Sequence, residues 1–391
     1  MTLDNTNPYA ETTQTLSVTI SFPDKYSELP KAGIIVNVSD ILSGSAFSGQ
    51  TDKGGKVSFP VINGLYRVST SHLSGEDIFN ASQDRIRIAG EDRSIKLTYV
   101  HARLGALVIK EIYCGGCKKA PIEGEYQIDK YFIIHNNSSN VEYLDKLCFG
   151  TLLPYNSTAV NPWYSKDEEG QLVLPNFCPI AQCVWAFGGS GTDFPLNPGE
   201  DAVVSINGAI DHSATYPLSV NLNHKDYFVC YNEVHFPNPN YHPAPGDKIR
   251  PERVLNVVIK TGFANAYTFS ISSPTLVLFR PEGMSIEEFI AIPENVIPVP
   301  GSSNERVVCV PEDWVLDGVE VFDLRSARNT KRLTNKIDAG NAFLSSTYEG
   351  RTLIRKVNEE KTASLGYEVL MDTNNSLNDF YESSTQSLWQ E

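Results

Sequence analysis

The chain has 391 residues, 41% hydrophobic and 20% charged, with 47 acidic against 32 basic side chains and a net charge of −15. That length calls for more than one core, and that charge repels a nucleic-acid backbone wherever no concentrated basic face exists, so nucleic acid is excluded as a partner. No run approaches the ~20 apolar residues that a membrane-crossing helix needs, and polar residues 1–14 read as a disordered tether, as in an exported protein stripped of its leader.

From Leu16 to Tyr99 the pattern is all strand. Leu16, Val18, Ile20 and Phe22 alternate with polar residues, as do Ile34, Val36 and Val38, so each run buries one face. Residues 51–68 read as a meander: residues 52–55 make a tight turn, Val57, Phe59 and Val61 point one way, and Asn63-Gly64 turn the chain again. Ile86, Ile88, Ile95, Leu97 and Tyr99 add two short strands. The spacing predicts a small β-sandwich over residues 15–101.

A larger all-β domain follows over residues 102–391, with long loops and little helix. Leu107–Tyr113 and residues 131–135 read as strands, with an Asn-Asn-Ser-Ser-Asn turn after them and a return run through Val141, Tyr143 and Leu147. Strands hide their amides only by pairing, so the closing segment, residues 366–380, has to come back to the opening one. One helix is expected at residues 285–291, with Ser285 capping and Glu288 three residues on. The basic cluster Arg325, Arg328, Lys331 and Arg332 reads as a solvated loop, and Glu168-Glu169 and Glu287-Glu288 as solvent-facing pairs.

Seven cysteines cannot all pair. Cys114-Gly-Gly-Cys117 and Cys178…Cys183 form the candidate thiol cluster, open between a metal site, a disulfide and ordinary loop thiols. A thioredoxin-type centre is disfavoured, because Gly-Gly after a strand predicts a turn and not a helix start. Cys148 and Cys230 read as small buried hydrophobes. The candidate ligand-binding loop carries His212, His224, Tyr231, His235, Tyr241 and His242 on a proline-rich path between 211 and 251. Asp372, Asn374, Ser376 and Asn378 alternate like the start of a calcium loop, but Leu377 and Ser383 stand where Gly and Glu are required, which points to Asx turns. No G-x-S-x-G, H-E-x-x-H or Walker motif is present, so the sequence predicts no catalytic residue, no metal ligand and no cofactor.

The run T-D-x-x-G-x-x-x-F…G-x-Y-x-V in residues 51–68 is similar to that of prealbumin-like, carboxypeptidase regulatory-like domains, which implies a structural spacer. Residues 107–150 with 338–340, 351–355 and 372–380 resemble the lamin-tail, immunoglobulin-like domain of exported bacterial proteins, with 195–332 as an expansion the compact form lacks. One departure is that Ile133, Ile134 and His135 follow Tyr131-Phe132 where that strand usually carries an acidic residue. The whole arrangement, with residues 195–200, 209–212 and 313–322 as further hallmarks, resembles a family of surface lipoproteins of unknown function from Bacteroides-type gut anaerobes.

That resemblance implies an exported monomer at the outer membrane or cell surface, touching the membrane only through a lipid anchor outside this chain. The expected function is non-catalytic binding or adhesion, with a glycan, protein or small molecule as ligand, because Tyr, Phe, Trp and His collect on long loops. Alternatives are an exported hydrolase or its accessory module, and a metal- or cofactor-capturing lipoprotein serving an outer-membrane transporter.

Overall fold

The computed structural model describes residues 13–75, 77–167 and 172–390; residues 1–12 of the expected tether and the Glu168-Glu169 pair lie outside the described residues. Gln14 is already strand, paired with Val61. The chain is all-β with little helix, and it forms two compact units, one ending at Leu104 and the other starting at Gly105.

In the first unit, Gln14–Ser21 lies between Lys56–Val61 and Arg93–Thr98 in a three-stranded sheet. A five-stranded sheet runs Ala46–Gln50, Ile35–Asp40, Gly64–Ser74, Asp77–Ile88, Val100–Arg103. Alternating residues of both sheets, among them Leu16, Val18, Ile20, Val36, Val38, Phe59, Val68 and Leu97, meet in one core. The expected meander is corrected here: Lys56–Val61 and Gly64–Ser74 join different sheets, so Asn63-Gly64 is a crossover between layers and not a hairpin turn. The earlier turn forms as expected, with Asp52 Oδ1 accepting from the Gly54 and Lys56 amides at 2.8 and 2.9 Å and Gly55 at φ +75°.

In the second unit, a six-stranded sheet runs Phe228–Val229, Asp201–Ser205, Tyr131–Asn136, Leu107–Tyr113, Thr352–Arg355, Phe380–Ser383. The strand that pairs with the opening one is Thr352–Arg355, upstream of the expected closing segment, with Ile112 facing Leu353; residues 366–380 return instead through Phe380 paired with Arg355 and Leu370 hydrogen-bonded to Asn137. A second sheet runs Val296–Pro298, Arg306–Pro311, Phe177–Ala186, Cys148–Leu152, Thr275–Phe279, Val315–Asp323, Ala342–Leu344, with Asn256–Lys260 also on Phe177–Ala186. Between the sheets lies a core containing Ile109, Phe132, Ile134, Phe149, Trp185, Val204, Leu276, Val319 and Leu353.

Residues 195–332, the expected expansion, are built into both sheets: they supply Asp201–Ser205 beside Tyr131–Asn136 and the interior strands Thr275–Phe279 and Val315–Asp323. The return run after residue 141 likewise leaves the first sheet, and Cys148–Leu152 belongs to the second. The helix is Ile286–Ile290, with both bonds of the Ser285/Glu288 capping box. Glu359–Leu365 is a second helix, capped by Asn358 and closed by Gly366 at φ +78°, and Ser376–Asp379 is a third.

The solvated reading of the basic cluster also needs correction. Arg325 and Arg328 are exposed, but Lys331 and Arg332 are buried. Arg332 pairs with buried Glu320 at 2.6 Å and donates to the carbonyls of Pro154, Ser273 and Val321, so a loop read as surface closes a seam of the core.

Candidate functional site

The proline-rich stretch between 211 and 251 contains one two-residue strand, Phe228–Val229, and an isolated bridge between Asp211 and Asn221, and is otherwise loop, yet it is tightly held. Asn238 donates its amide N–H to the Asn265 carbonyl at 3.0 Å, and Asn207 Nδ2 bridges the carbonyls of Tyr241 and Tyr267 at 3.1 and 2.9 Å. Lys260 Nζ donates to the His235 carbonyl at 2.7 Å and lies 5.0 Å from the Phe236 ring centroid. Beneath, Phe236 stacks on Trp185 at 5.8 Å and meets Tyr267 at 6.0 Å, while Trp185 meets Tyr267 edge-on at 5.4 Å. The result is a platform of two loops anchored on the aromatic core. On these loops Val234 is 82% exposed, Phe263 76% and Tyr241 50%.

The six loop residues predicted from sequence divide into two groups. His224, His235 and Tyr241 are exposed, and Tyr231 is half-buried. His212 and His242 are buried. His242 Nε2 accepts from the Asn232 amide at 3.2 Å, its ring stacks on Tyr231 at 5.5 Å, and burial pushes its pKa down to about 4. His212 Nδ1 accepts from the Tyr126 hydroxyl at 2.6 Å and its Nε2–H donates to the Gly208 carbonyl at 2.8 Å, with burial lowering its pKa too. Both rings are neutral pieces of packing, and the loop histidines do not converge as metal donors among the described residues.

Sequence reasoning missed three tyrosines brought to the same region. Tyr126 packs on Tyr216 at 4.4 Å, Lys119 sits 5.5 Å over Tyr216, and Tyr348 is close enough to Tyr241 and Glu125 that both add to the upward push burial gives its phenol. Tyr348 holds φ +62° with its amide bonded to the Gly115 carbonyl at 2.8 Å, an uncommon conformation for a bulky side chain. No local motif marks these residues, because they come from separate segments.

The thiols are dispersed. Cys114 and Cys183 line the central core, Cys178 the neighbouring core region, and Cys117 lies at Asp129, donating to its Oδ2 at 3.6 Å. All seven cysteines are unpaired. Burial, before any neighbouring charge, pushes Cys114 and Cys117 up to about 12 and raises Cys178 and Cys183 as well, so none is a thiolate at neutral pH. The Gly-Gly step has a steric cause: Gly116 takes φ +72°, and a Cβ there would collide with the Tyr126 carbonyl.

Among the described residues, His135, Asp201 and Glu368 form the group best able to offer donors to a metal. The cation position is filled. Lys110 Nζ reaches Asp201 and Glu368 at 2.7 and 2.5 Å, and the two His135 nitrogens face Asp201 Oδ1 at 2.6 Å and the Glu368 carbonyl at 3.0 Å. Burial works against charge, but His135 and Lys110 hold Asp201 below the usual carboxylate range. Deeper in the core, Arg355 meets Asp317 at 2.5 Å, Asp372 at 3.4 Å and Asp379 at 3.5 Å and donates to the Ile109 carbonyl at 2.8 Å. Of the alternating residues, Asp372 Oδ1 accepts from the Asn374 amide at 3.5 Å in an Asx turn and Ser376 donates its amide and hydroxyl to Asp338, while between them Thr373 and Asn375 donate to Asp379 and Leu377 to Asn375.

No curated protein matches the chain. The crystal structure of a DUF4876 family protein from Bacteroides thetaiotaomicron VPI-5482 aligns with a TM-score of 0.60 and 24% identity over 94% of this chain and 94% of that one, a likeness of fold. A DUF3823 family protein from Parabacteroides merdae ATCC 43184 aligns at 10% identity and a TM-score of 0.18, over 36% of this chain and 66% of that one. Residues 197–387 match the family described as "Protein of unknown function (DUF4876)". Residues 197–387, just under half of the chain, are thus similar to the DUF4876 family, and the fold over nearly the whole chain is like that of a DUF4876 protein.

Proposed function

We propose that this protein is a non-catalytic binding or adhesion protein of a bacterial cell envelope, engaging its ligand through the platform of residues 234–246 and 261–267. One observation carries the reading: Val234, Tyr241 and Phe263 face solvent on loops that are locked to each other and to the aromatic core. Apolar side chains held outward by a rigid support stabilise nothing in the fold itself and suit recognition. The buried guanidinium groups of Arg355 and Arg332 and the half-buried Lys110 ammonium are meanwhile engaged in internal pairs. The envelope assignment rests on the surface-lipoprotein resemblance, and a lipidated cysteine in the precursor, read by palmitate labelling, is its test.

Purified protein is to be screened against a mixed array of glycans, peptides and small molecules, alongside a turnover screen on esters, phosphoesters and glycosides. The expected result is a ligand whose retention is lost in a Tyr241→Ser/Phe263→Ser double variant with an unchanged melting temperature. Turnover abolished by a single substitution would replace this reading with a catalytic one.

A further inference from the structure

Resting on that reading, we infer that the platform takes a neutral carbohydrate chain, with Tyr241 and Phe263 laid against the C–H faces of its sugar rings and the Asn240 and Asn265 amides meeting their hydroxyls. The first argument is charge. Residues 234–246 and 261–267 contain no Asp, Glu, Lys or Arg, although such residues make up 20% of a chain carrying a net −15. The cation adjoining the second loop, Lys260, is committed to the His235 carbonyl and the Phe236 ring. Other charges occur only at the margins, at Glu233, Asp247 and Lys248, so the aromatic stretch itself offers neither a counter-charge for a polyanion nor a carboxylate for a cation.

The second argument is the pattern of engaged amides. Val234 and His235 donate their N–H groups to Asn232 Oδ1, Phe236 to the Asn232 carbonyl, Asn238 to the Asn265 carbonyl, Asn240 to Asn238 Oδ1, and Tyr241 and His242 to the Asn238 carbonyl. Pro237 and Pro239 have no N–H. An extended peptide recognised by strand addition needs a row of free main-chain groups, and over residues 234–242 the donors of such a row are used internally. Side chains are what the platform offers: exposed aromatic faces, the Asn240 amide, which makes no side-chain hydrogen bond among the described residues, and the Asn265 Nδ2 beside its bonded Oδ1. Apolar faces interleaved with neutral donors and acceptors match a sugar, whose ring face is C–H and whose rim is hydroxyl. Locking the loops in advance keeps the ordering cost of binding low.

The test is calorimetric titration of the whole protein with neutral hexasaccharides of glucose, mannose, xylose and galactose, at low and high salt, beside a peptide panel. The inference expects one of these sugars to bind with little salt dependence, and Tyr241→Ala and Phe263→Ala each to weaken binding by about ten-fold without lowering the melting temperature. Absence of binding to all four sugars overturns it, as does binding that survives the double substitution or that appears only for charged saccharides and fades with salt. Peptide binding lost in the same two variants overturns the carbohydrate assignment while leaving the binding platform in place.

Discussion

Asp317 and His242 are both buried, and burial acts on them in opposite directions. Desolvation pushes Asp317 up to about 6 despite the Arg355 guanidinium, and Asp372 and Asp379 are raised for the same first reason. A carboxyl raised above its unfolded value near 3.9 contributes stability that is full below that value and is lost as pH rises through about 6. His242 is lowered to about 4 by burial, so its contribution is full above the unfolded value near 6.5 and is lost as pH falls toward 4. Chemical denaturation followed from pH 4 to 7 separates them. Asp317→Asn is expected to remove a decline on the order of 2 kcal/mol with rising pH, and His242→Phe a loss of similar order with falling pH. Parallel curves for wild type and variant would refute the assigned burial effect at that residue. Lys331 and Arg332 belong to the same scale: sequence marks them as charged, and only the carbonyls and Glu320 around them explain why they are inside.

Among the elements, the Cys114–Cys117 turn is the clearest case of a motif whose chemistry is steric. Gly116 must hold a positive φ while the Tyr126 carbonyl occupies the space of a Cβ, and Cys117 pairs in register with Tyr126. Gly116→Ala is expected to destabilise the protein by at least about 2 kcal/mol in urea titrations, from left-handed strain and displacement of the facing backbone. Cys117→Ala should cost less, since its thiol makes only a long contact to Asp129. Equal stability of Gly116→Ala and wild type would contradict the steric account. The capping box at Ser285 was legible because its two partners lie three residues apart; the Asn358 and Gly366 signals that bracket the second helix are equally local but went unread beside a charged, weakly apolar sequence.

Across the whole molecule, each unit encloses its own apolar core. Residues 13–104 and 105–390 produced separately are each expected to unfold in one cooperative transition, seen by calorimetry; a unit that shows no transition alone would deny it an independent core. Sequence alone determined the all-β class, the faces of the alternating strands and the return of the closing segment to the opening one, because period-two burial and the need to pair every buried amide are local or general constraints. Tertiary structure decided which sheet each strand joins, that residues 195–332 build interior strands, that Tyr126 meets Tyr216, and that Tyr348 meets Tyr241, each across distant segments. The physical reason is that alternation states which side of a strand is buried but not against what. Partners separated by hundreds of residues are chosen only when two whole sheets pack.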